Sequence, residues 1–236
     1  MPISTTLRKI NFGCGYDKRD GYLNVDVDPA CQPDLLIVGD DYSVIPSESF
    51  DEVLAHDVLE HIPRAQTAGV LFDWAGYLVT GGTLILQTSS IVGVAQQLQA
   101  TPDFASQHGW SNCLFGNQAH PGDFHFTGFT ETTLRVHLLA AGFDVGEFTL
   151  DDGWLLGVTG VKTWSWNELV AGCDGHSDRE FVREIYSSAF DREPDDNGMQ
   201  FLTTELKRKR MTRRDAARHL FGSPERLFRT AARHGL

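Results

Sequence analysis

A short segment rich in histidine and acidic residues offers the side chains needed to move a proton. The sequence FGNQAHPGDFHFTGFT, residues 115–130, places His120, Asp123 and His125 among glycines and aromatic residues. Neutral imidazole accepts a proton near neutral pH, so we predict that His125 or His120 acts as a general base, with Asp123 beside them. The spacing also carries ligand types of a divalent metal site, and a loop held by its own polar side chains is a third interpretation. We assign no metal ligand from the sequence.

His61 is a competing candidate for the same role. It follows Glu60 in VLEHI, residues 58–62, close to the predicted start of a helix. A histidine here could accept the proton of a bound hydroxyl, or it could cap or brace the helix. The sequence leaves both roles open.

A glycine turn near the N-terminus predicts a ligand site with an unusual spacing. Gly13, Cys14 and Gly15 follow a short strand, and glycine lets the backbone pass close to a ligand. Asp26 follows Gly13 by thirteen positions, whereas a dinucleotide site places its ribose-binding acid about 20 residues beyond the turn. The intervening YDKRDGY is too polar and too short for a crossover helix whose N-terminus would bind a pyrophosphate.

A cofactor without phosphates tolerates this shortening, and S-adenosylmethionine is such a cofactor. Its ribose hydroxyls require a carboxylate at the end of the second strand, which Asp26 supplies, with Asp28 as the alternative. The simpler interpretation is a tight turn beside solvated acids, because a glycine motif alone is a weak signal.

The surrounding pattern predicts the elements that position these residues. Five apolar runs suit buried strands: RKINF, YLNVDVD, DLLIVGD, FDEVLAHD and GGTLILQTS. Helical spacing follows in RAQTAGVLFDWAGYLV, and TETTLRVHLLAAGF is a helix with Thr130 as N-cap and Gly142 as its stop. Two further strands flank an Asp-Gly turn. The fold class is therefore α/β, a doubly wound and mostly parallel sheet over residues 1–165.

A small all-α module follows over residues 177–236. Its last helix starts with Ser223 as N-cap and Pro224 at the first helical position. The polar segment 168–177 is the expected link between the two parts. The module resembles a helical domain of unknown function found on bacterial glycan-related and secreted proteins, on the pattern Y…FDREPD…G…F, and that resemblance assigns no catalytic residue.

Four segments together resemble class I, Rossmann-like S-adenosylmethionine-dependent methyltransferases. They are NFGCG, NVDVDP, GDDYSVIPSESFDEVLAHDVLEHI and LVTGGTLILQT, in the family's order over about residues 8–90. The resemblance implies that the turn containing Cys14 passes under the methionine tail and that Asp26 holds the ribose. It places Asp40 or Asp41 at the adenine amino group, and His56 and Asp57 beside the cofactor. The compressed start is shared with a bacterial subgroup associated with cell-surface glycans.

Composition limits the partners. The net charge is −12, yet residues from 178 onward carry 13 Lys and Arg against 10 acids. The acidic first part argues against binding a phosphate backbone, so we expect no specific nucleic acid. The basic run Lys207–Arg214 is either a solvated helix face or a dock for an anionic surface or protein. No apolar run is long enough for a membrane span, and four scattered cysteines suit a reducing cytoplasm.

The predicted function is methyl transfer from S-adenosylmethionine to an oxygen of a sugar or glycan intermediate. The alternatives are a small-metabolite or nitrogen acceptor, and a non-catalytic scaffold with a degenerate donor site.

Overall fold

Seven strands among the described residues form one sheet in the computed structural model, which describes residues 6–38 and 41–236. In chain order they are β1 (Lys9–Phe12), β2 (Leu23–Asp26), β3 (Leu35–Leu36), β4 (Phe50–His56), β5 (Leu78–Ser89), β6 (Phe143–Asp151) and β7 (Leu155–Lys162). Their order across the sheet is β3-β2-β1-β4-β5-β7-β6. The neighbours from β3 to β5 pair in parallel, and β7 lies antiparallel between β5 and β6. The order 3-2-1-4-5 is that of a doubly wound Rossmann-like sheet, which confirms the predicted fold class.

The helices of the described residues include those predicted between the strands and in the helical module. Three more, at residues 91–100, 104–115 and 166–172, were not predicted. In chain order the helices are α1 (Arg64–Tyr77), α2 (Ile91–Ala100), α3 (Phe104–Phe115), α4 (Glu131–Ala141), α5 (Trp166–Gly172), α6 (Asp178–Phe190), α7 (Asp196–Lys207), α8 (Arg213–Phe221) and α9 (Pro224–His234). Thr130 caps α4 and Gly142 ends it at φ +96°, as the sequence predicts. In the described part of the chain, no helix is both long and apolar enough to cross a membrane.

The hairpin of β6 and β7 closes the sheet. Asp152 and Gly153 occupy its turn with φ +50° and +75°. Positive φ at both central positions is typical of the tight turns that match strand twist, and Asp-Gly is the sequence that adopts them most readily. The predicted Asp-Gly hairpin is therefore confirmed.

One face of the sheet carries the main hydrophobic core. Alternate side chains of β1, β4 and β5 lie in register and are buried: Ile10, Val53 and Leu84 in one row, and Phe12, Ala55 and Leu86 in the next. Leu71 and Trp74 of α1 and Leu134 and Leu138 of α4 belong to the same cluster. The period of two along each strand places this row against the helices.

No α-helix connects β1 to β2, as the short polar segment predicts. The connecting loop is held instead by buried amides. The Asn11 side chain donates to the Asp17 carbonyl at 3.1 Å, and the Asn24 side chain accepts from the Arg19 N–H at 2.8 Å. These bonds satisfy loop backbone groups that a crossover helix would have satisfied internally.

The C-terminal helices build a second core that includes part of α1. Phe72 of α1 and Trp166 of α5 are buried in this cluster together with Phe181 and Phe221. Half of the expected link at 168–177, residues 168–172, belongs to α5, whose first residue, Trp166, is only 1% exposed. The change in net charge near residue 178 does not coincide with a solvated linker, because buried aromatic side chains join the two parts of the protein.

Candidate functional site

A cavity of about 660 Å³ opens at the carboxyl ends of the parallel strands. Gly13 follows β1, Asp26 ends β2, and Asp57 and Val58 follow β4; all four line the cavity. β1 lies between β2 and β4, so this is the point at which the strand order reverses. Open α/β sheets bind their ligands at such a point.

Gly13 shapes one wall of the cavity and cannot carry a side chain. Its φ is +58°, and a Cβ there would lie 2.5 Å from Cγ2 of Val58. Gly15 also has a positive φ, of +48°. Between them the Cys14 side chain is buried, and burial raises the pKa of its thiol to about 11, which leaves the thiol unreactive. Cys14 does not line the cavity.

Asp26 lies on the cavity wall and braces the glycine turn. One carboxylate oxygen accepts from the Gly15 N–H at 2.7 Å, and the other accepts from the N–H groups of Val27 and Asp28 at 2.8 and 2.9 Å. A carboxylate offers about four acceptor positions, so one remains for a ligand hydroxyl. The alternative, Asp28, instead accepts from the Ala30 N–H at 2.9 Å and caps the turn after β2.

His56 and Asp57 diverge at the end of β4. Asp57 lines the cavity with φ +53°, and burial raises the pKa of its carboxyl. The cavity wall does not include His56, which interacts with Arg19 and Asp17 of the β1–β2 loop. Burial, followed by the Arg19 charge, lowers the pKa of His56. Of these two neighbouring residues, only Asp57, just beyond β4, lies on the cavity wall.

His61 lines the cavity in the turn after β4. Its Nδ1 lies 3.1 Å from the Phe124 carbonyl oxygen. A carbonyl only accepts, so Nδ1 carries the hydrogen in the neutral ring and Nε2 keeps its lone pair. This tautomer leaves Nε2 as a proton acceptor.

The predicted histidine loop is joined to the turn that holds His61. The N–H groups of Phe126 and Thr127 both donate to the Glu60 carbonyl, at 2.8 and 3.1 Å. The Thr127 hydroxyl donates to the Ile62 carbonyl at 2.7 Å. Two segments about 60 residues apart in sequence therefore form one side of the cavity.

His125 lies against His61. The ring centroids are 4.7 Å apart and the rings meet edge to face at 86°. The His125 Nδ1 donates to the Cys113 carbonyl at 3.1 Å, which leaves its Nε2 free as well. Burial, followed by the neighbouring His61, lowers the pKa of His125 and favours the neutral ring.

His120 and Asp123 occupy another part of the loop. Asp123 accepts from the Ala119 N–H at 3.2 Å through its side chain, and its own N–H donates to the His120 carbonyl at 3.0 Å. The His120 side chain is exposed. Both residues therefore make hydrogen bonds within their own loop. His61 and His125 are the predicted bases that the fold brings together.

Glu60 is a buried acid whose role the sequence analysis missed. Its side chain is 1% exposed and accepts from the Thr88 hydroxyl at 2.8 Å. Burial is the largest cause that raises the pKa of this carboxyl to about 7. The signal that could have found it is an acid directly after the apolar residues Val58 and Leu59.

The adenine-site prediction is partly outside the described residues. Asp40 lies in the gap between residues 38 and 41. Asp41 is exposed and caps a short turn, accepting from the Ser43 hydroxyl and N–H at 2.5 and 3.1 Å. The hydrogen bonds from Ser43 lower the pKa of Asp41. Within residues 6–38 and 41–236, no group of three His, Cys, Asp or Glu side chains is arranged to hold a metal ion.

Residues 168–229 match a family described as a domain of unknown function (DUF4214). No curated protein matches the chain. Among solved structures, a possible exported protein from Bordetella parapertussis is 15% identical, with a TM-score of 0.47, over 67% of this chain and 62% of that one.

Two solved methyltransferases have a similar degree of likeness. The 1,6-didemethyltoxoflavin-N1-methyltransferase of Burkholderia thailandensis is 17% identical over 66% of this chain and 71% of that one, with a TM-score of 0.46. An S-adenosylmethionine-dependent methyltransferase from Mesorhizobium loti is 16% identical over 66% of this chain and 90% of that one, with a TM-score of 0.46. The strand order β3-β2-β1-β4-β5 assigns the fold class.

The basic run Lys207–Arg214 is divided between structure and surface. Arg210 pairs with Glu205, and Arg213 donates to the carbonyls of Cys173 and His176. Lys207, the last residue of α7, and Arg208 and Lys209 in the turn that follows are exposed. Within Lys207–Arg214, these three side chains form the candidate basic surface.

Proposed function

We propose that this protein transfers the methyl group of S-adenosylmethionine to a hydroxyl oxygen of a sugar or glycan intermediate. The observation that carries the proposal is that Asp26, at the end of β2, and His61, after β4, line the same cavity. One supplies a carboxylate for a ribose, and the other supplies a ring nitrogen that accepts a proton.

The residues around the cavity fit S-adenosylmethionine better than a dinucleotide. No α-helix follows the glycine turn in the described residues 13–22, so no helix N-terminus is present there for a pyrophosphate. The cavity volume falls within the roughly 300–1,000 Å³ of small-molecule sites. Phe12 and Val25 provide apolar walls, and Asp26 retains an acceptor position for a ribose hydroxyl.

The chain's contribution to the reaction would be binding, alignment and acceptance of a proton. When bound, S-adenosylmethionine would supply a methyl group on a positively charged sulfur that leaves as a neutral thioether. Nε2 of His61 would accept the proton that the acceptor hydroxyl releases. The Phe124 carbonyl fixes the ring so that Nε2, and not Nδ1, is the acceptor atom. Alignment of the two reactants contributes much of the rate.

Two features support a sugar as the acceptor. The cavity wall includes Phe126, which is 51% exposed, and such a ring offers a flat apolar surface to the C–H face of a sugar. The compressed glycine-to-acid start is the second, through its resemblance to glycan-associated proteins. We also place the reaction in the cytoplasm, since the four cysteines are free.

The exposed surface with Lys207, Arg208 and Lys209 is proposed as a contact for an anionic surface or protein. Its positive charge lies on the otherwise near-neutral C-terminal part of an acidic protein. Charge reversal at all three positions, with binding to an anionic glycan followed at two salt concentrations, tests this contact. Unchanged binding at low salt would exclude it.

Calorimetric titration of the full chain with S-adenosylmethionine and S-adenosylhomocysteine tests the donor assignment. Saturable heat with both is expected, and no heat with either favours the non-catalytic scaffold. Transfer of a labelled methyl group to a panel of sugar nucleotides, glycan fragments and small amines then tests the acceptor. Label on amines alone would replace the oxygen acceptor with a nitrogen acceptor.

A further inference from the structure

Helix α1 presents two faces with different neighbours. One stripe lines the ligand cavity and contains Gln66, Val70, Trp74 and Tyr77. A second stripe, with Gly69, Phe72 and Gly76, faces the C-terminal helices. Nine of its fourteen residues are buried, so the helix is covered on almost every side.

Aromatic packing joins the second stripe to the C-terminal helices. The Phe72 ring stacks on Trp166 at 4.3 Å and on Phe221 at 5.5 Å. The Trp166 indole N–H donates to the Phe72 carbonyl at 3.0 Å. Phe72 is fully buried and Trp166 is 1% exposed. The hydrophobic core of the module is therefore completed by a residue of α1.

The two glycines of this stripe bring the module directly onto the helix backbone. A Cβ on Gly69 would lie 3.0 Å from the guanidinium carbon of Arg218, and a Cβ on Gly76 would overlap the Trp166 ring. Close-packed interfaces of this kind transmit displacements because they hold no space to absorb them. A shift of α5 or α8 must therefore move α1.

Asp73 belongs to both faces of the helix. It lines the cavity, and its Oδ2 accepts from Nε of Arg218 at 2.7 Å. Nη2 of Arg214 lies 3.8 Å from its Oδ1. The Asp73 side chain is 20% exposed. Burial raises the pKa of its carboxyl, and the charges of Arg218 and Arg214 oppose this effect.

We propose that the C-terminal helices are a fixed outer support of the cavity wall, and that Arg218 is a positioning residue that holds Asp73 on this wall. Binding in the cavity and docking of the helices then stabilise each other, since coupling between sites is reciprocal. The identity of the ligand used below rests on the proposed function, but the support of the wall does not.

The first experiment measures affinity for S-adenosylhomocysteine in single variants of the full chain. Arg218→Ala is expected to weaken binding about two- to thirtyfold, the range for residues that modulate a site without touching its ligand. Arg218→Lys keeps the charge and is expected to recover part of the affinity. Arg229→Ala is the matched control: its side chain is 42% exposed against 41% for Arg218, and its partner Glu225 lies outside the cavity wall. Equal affinity in folded Arg218→Ala and wild type overturns the inference.

A double-mutant cycle separates positioning of Asp73 from general stability. If Arg218 acts through Asp73, Arg218→Ala has little further effect on affinity once Asp73→Asn is present. Additive losses in affinity would contradict the proposed route. Thermal midpoints of the same four proteins measure the effect on stability. A merely structural role of Arg218 would change these midpoints without producing a coupling between Arg218 and Asp73 in ligand affinity.

The last readout needs no ligand. The NMR signal of the Trp74 indole N–H, assigned by its loss in Trp74→Phe, reports on the cavity wall beside Asp73. It is expected to shift in Arg218→Ala and in Arg218→Lys, and to stay in place in Arg229→Ala. If the Trp74 signal shifts in a protein that binds no S-adenosylhomocysteine, the C-terminal helices do support the cavity wall and the proposed function is rejected. If the signal does not shift in a folded Arg218 variant, the proposed support of the wall is rejected.

Discussion

On the β1–β2 side of the cavity, Gly15 and Asp26 are 11 residues apart in sequence and joined by a hydrogen bond. On the opposite side, His61 contacts the carbonyl of Phe124, which is 63 residues away. The first side is a short loop that closes on itself. The second exists only when the loop before α4 packs onto the turn after β4.

Because of this difference, a substitution on one side of the cavity need not disturb the structure of the other side. A short loop closes at small entropic cost and keeps its own hydrogen bonds. The histidine side requires long-range packing through Glu60, whose carbonyl accepts two loop N–H groups. We therefore expect donor binding and proton acceptance to respond to different substitutions.

His61→Ala should show the largest effect and should confine it to catalysis. Loss of the proton acceptor is expected to lower turnover about 10²–10⁴-fold, while the dissociation constant of S-adenosylhomocysteine stays nearly constant. Steady-state kinetics with one hydroxyl acceptor and calorimetry check the two halves. His125→Ala is the comparison, since its ring lies against His61. A greater loss of turnover in His125→Ala than in His61→Ala would transfer the role of base to His125.

Asp26→Asn should show the opposite pattern. A charged acceptor for the ribose is lost, so affinity for S-adenosylhomocysteine should fall about ten- to a hundredfold. Asp28→Asn is the matched control, because Asp28 caps its own turn and does not line the cavity. Equal dissociation constants for Asp26→Asn and wild type would remove the ribose assignment.

Glu60→Gln should change how the stability of the protein depends on pH. The folded-state pKa of Glu60 is raised to about 7 from 4.5, so the folded protein retains a proton that the unfolded chain releases. This contribution to stability is fully present below pH 4.5 and is lost as pH rises through about 7. Between pH 5 and pH 8 the wild type should lose on the order of 1–3 kcal/mol more stability than the variant. Urea unfolding at both pH values measures the difference, and parallel behaviour of the two proteins would show that Glu60 ionises normally.

His120→Ala should show the smallest effect. Its exposed ring lies outside the cavity wall, so turnover should stay within about twofold of wild type and donor affinity should not change. Activity with and without chelator checks the metal alternative in the same assay. A large loss in His120→Ala that added divalent metal restores would return the loop to metal chemistry.

Much of the fold follows from patterns that lie close together in the chain. The Thr130 cap, the Gly142 stop and the Asp152-Gly153 turn were all predictable, because capping and turn geometry involve residues only a few positions apart. The absence of a crossover helix after Gly15 was predictable from the length and polarity of the segment. One prediction of this kind was incomplete, because half of the expected link at 168–177 is helix α5.

The second face of α1 was not predicted, although its signal is present in the sequence. Gly69, Phe72, Asp73 and Gly76 recur at helical spacing beside the apolar stripe that contains Trp74. Glycines in a helix lower its propensity, so they suggest a weak helix unless a close neighbour is known. For Gly76 that neighbour is Trp166, about 90 residues further along the chain, and for Gly69 it is Arg218.

The sheet, its short β1–β2 connection and the position of Asp26 beside the glycine turn were predictable from the sequence, because they depend on local periodicity, turn chemistry and short spacings. The folded structure was needed to show which histidines meet, that Glu60 is buried, and that the C-terminal helices pack onto α1. These three outcomes depend on contacts between distant segments, and on the water those contacts exclude, which no local pattern of residues specifies.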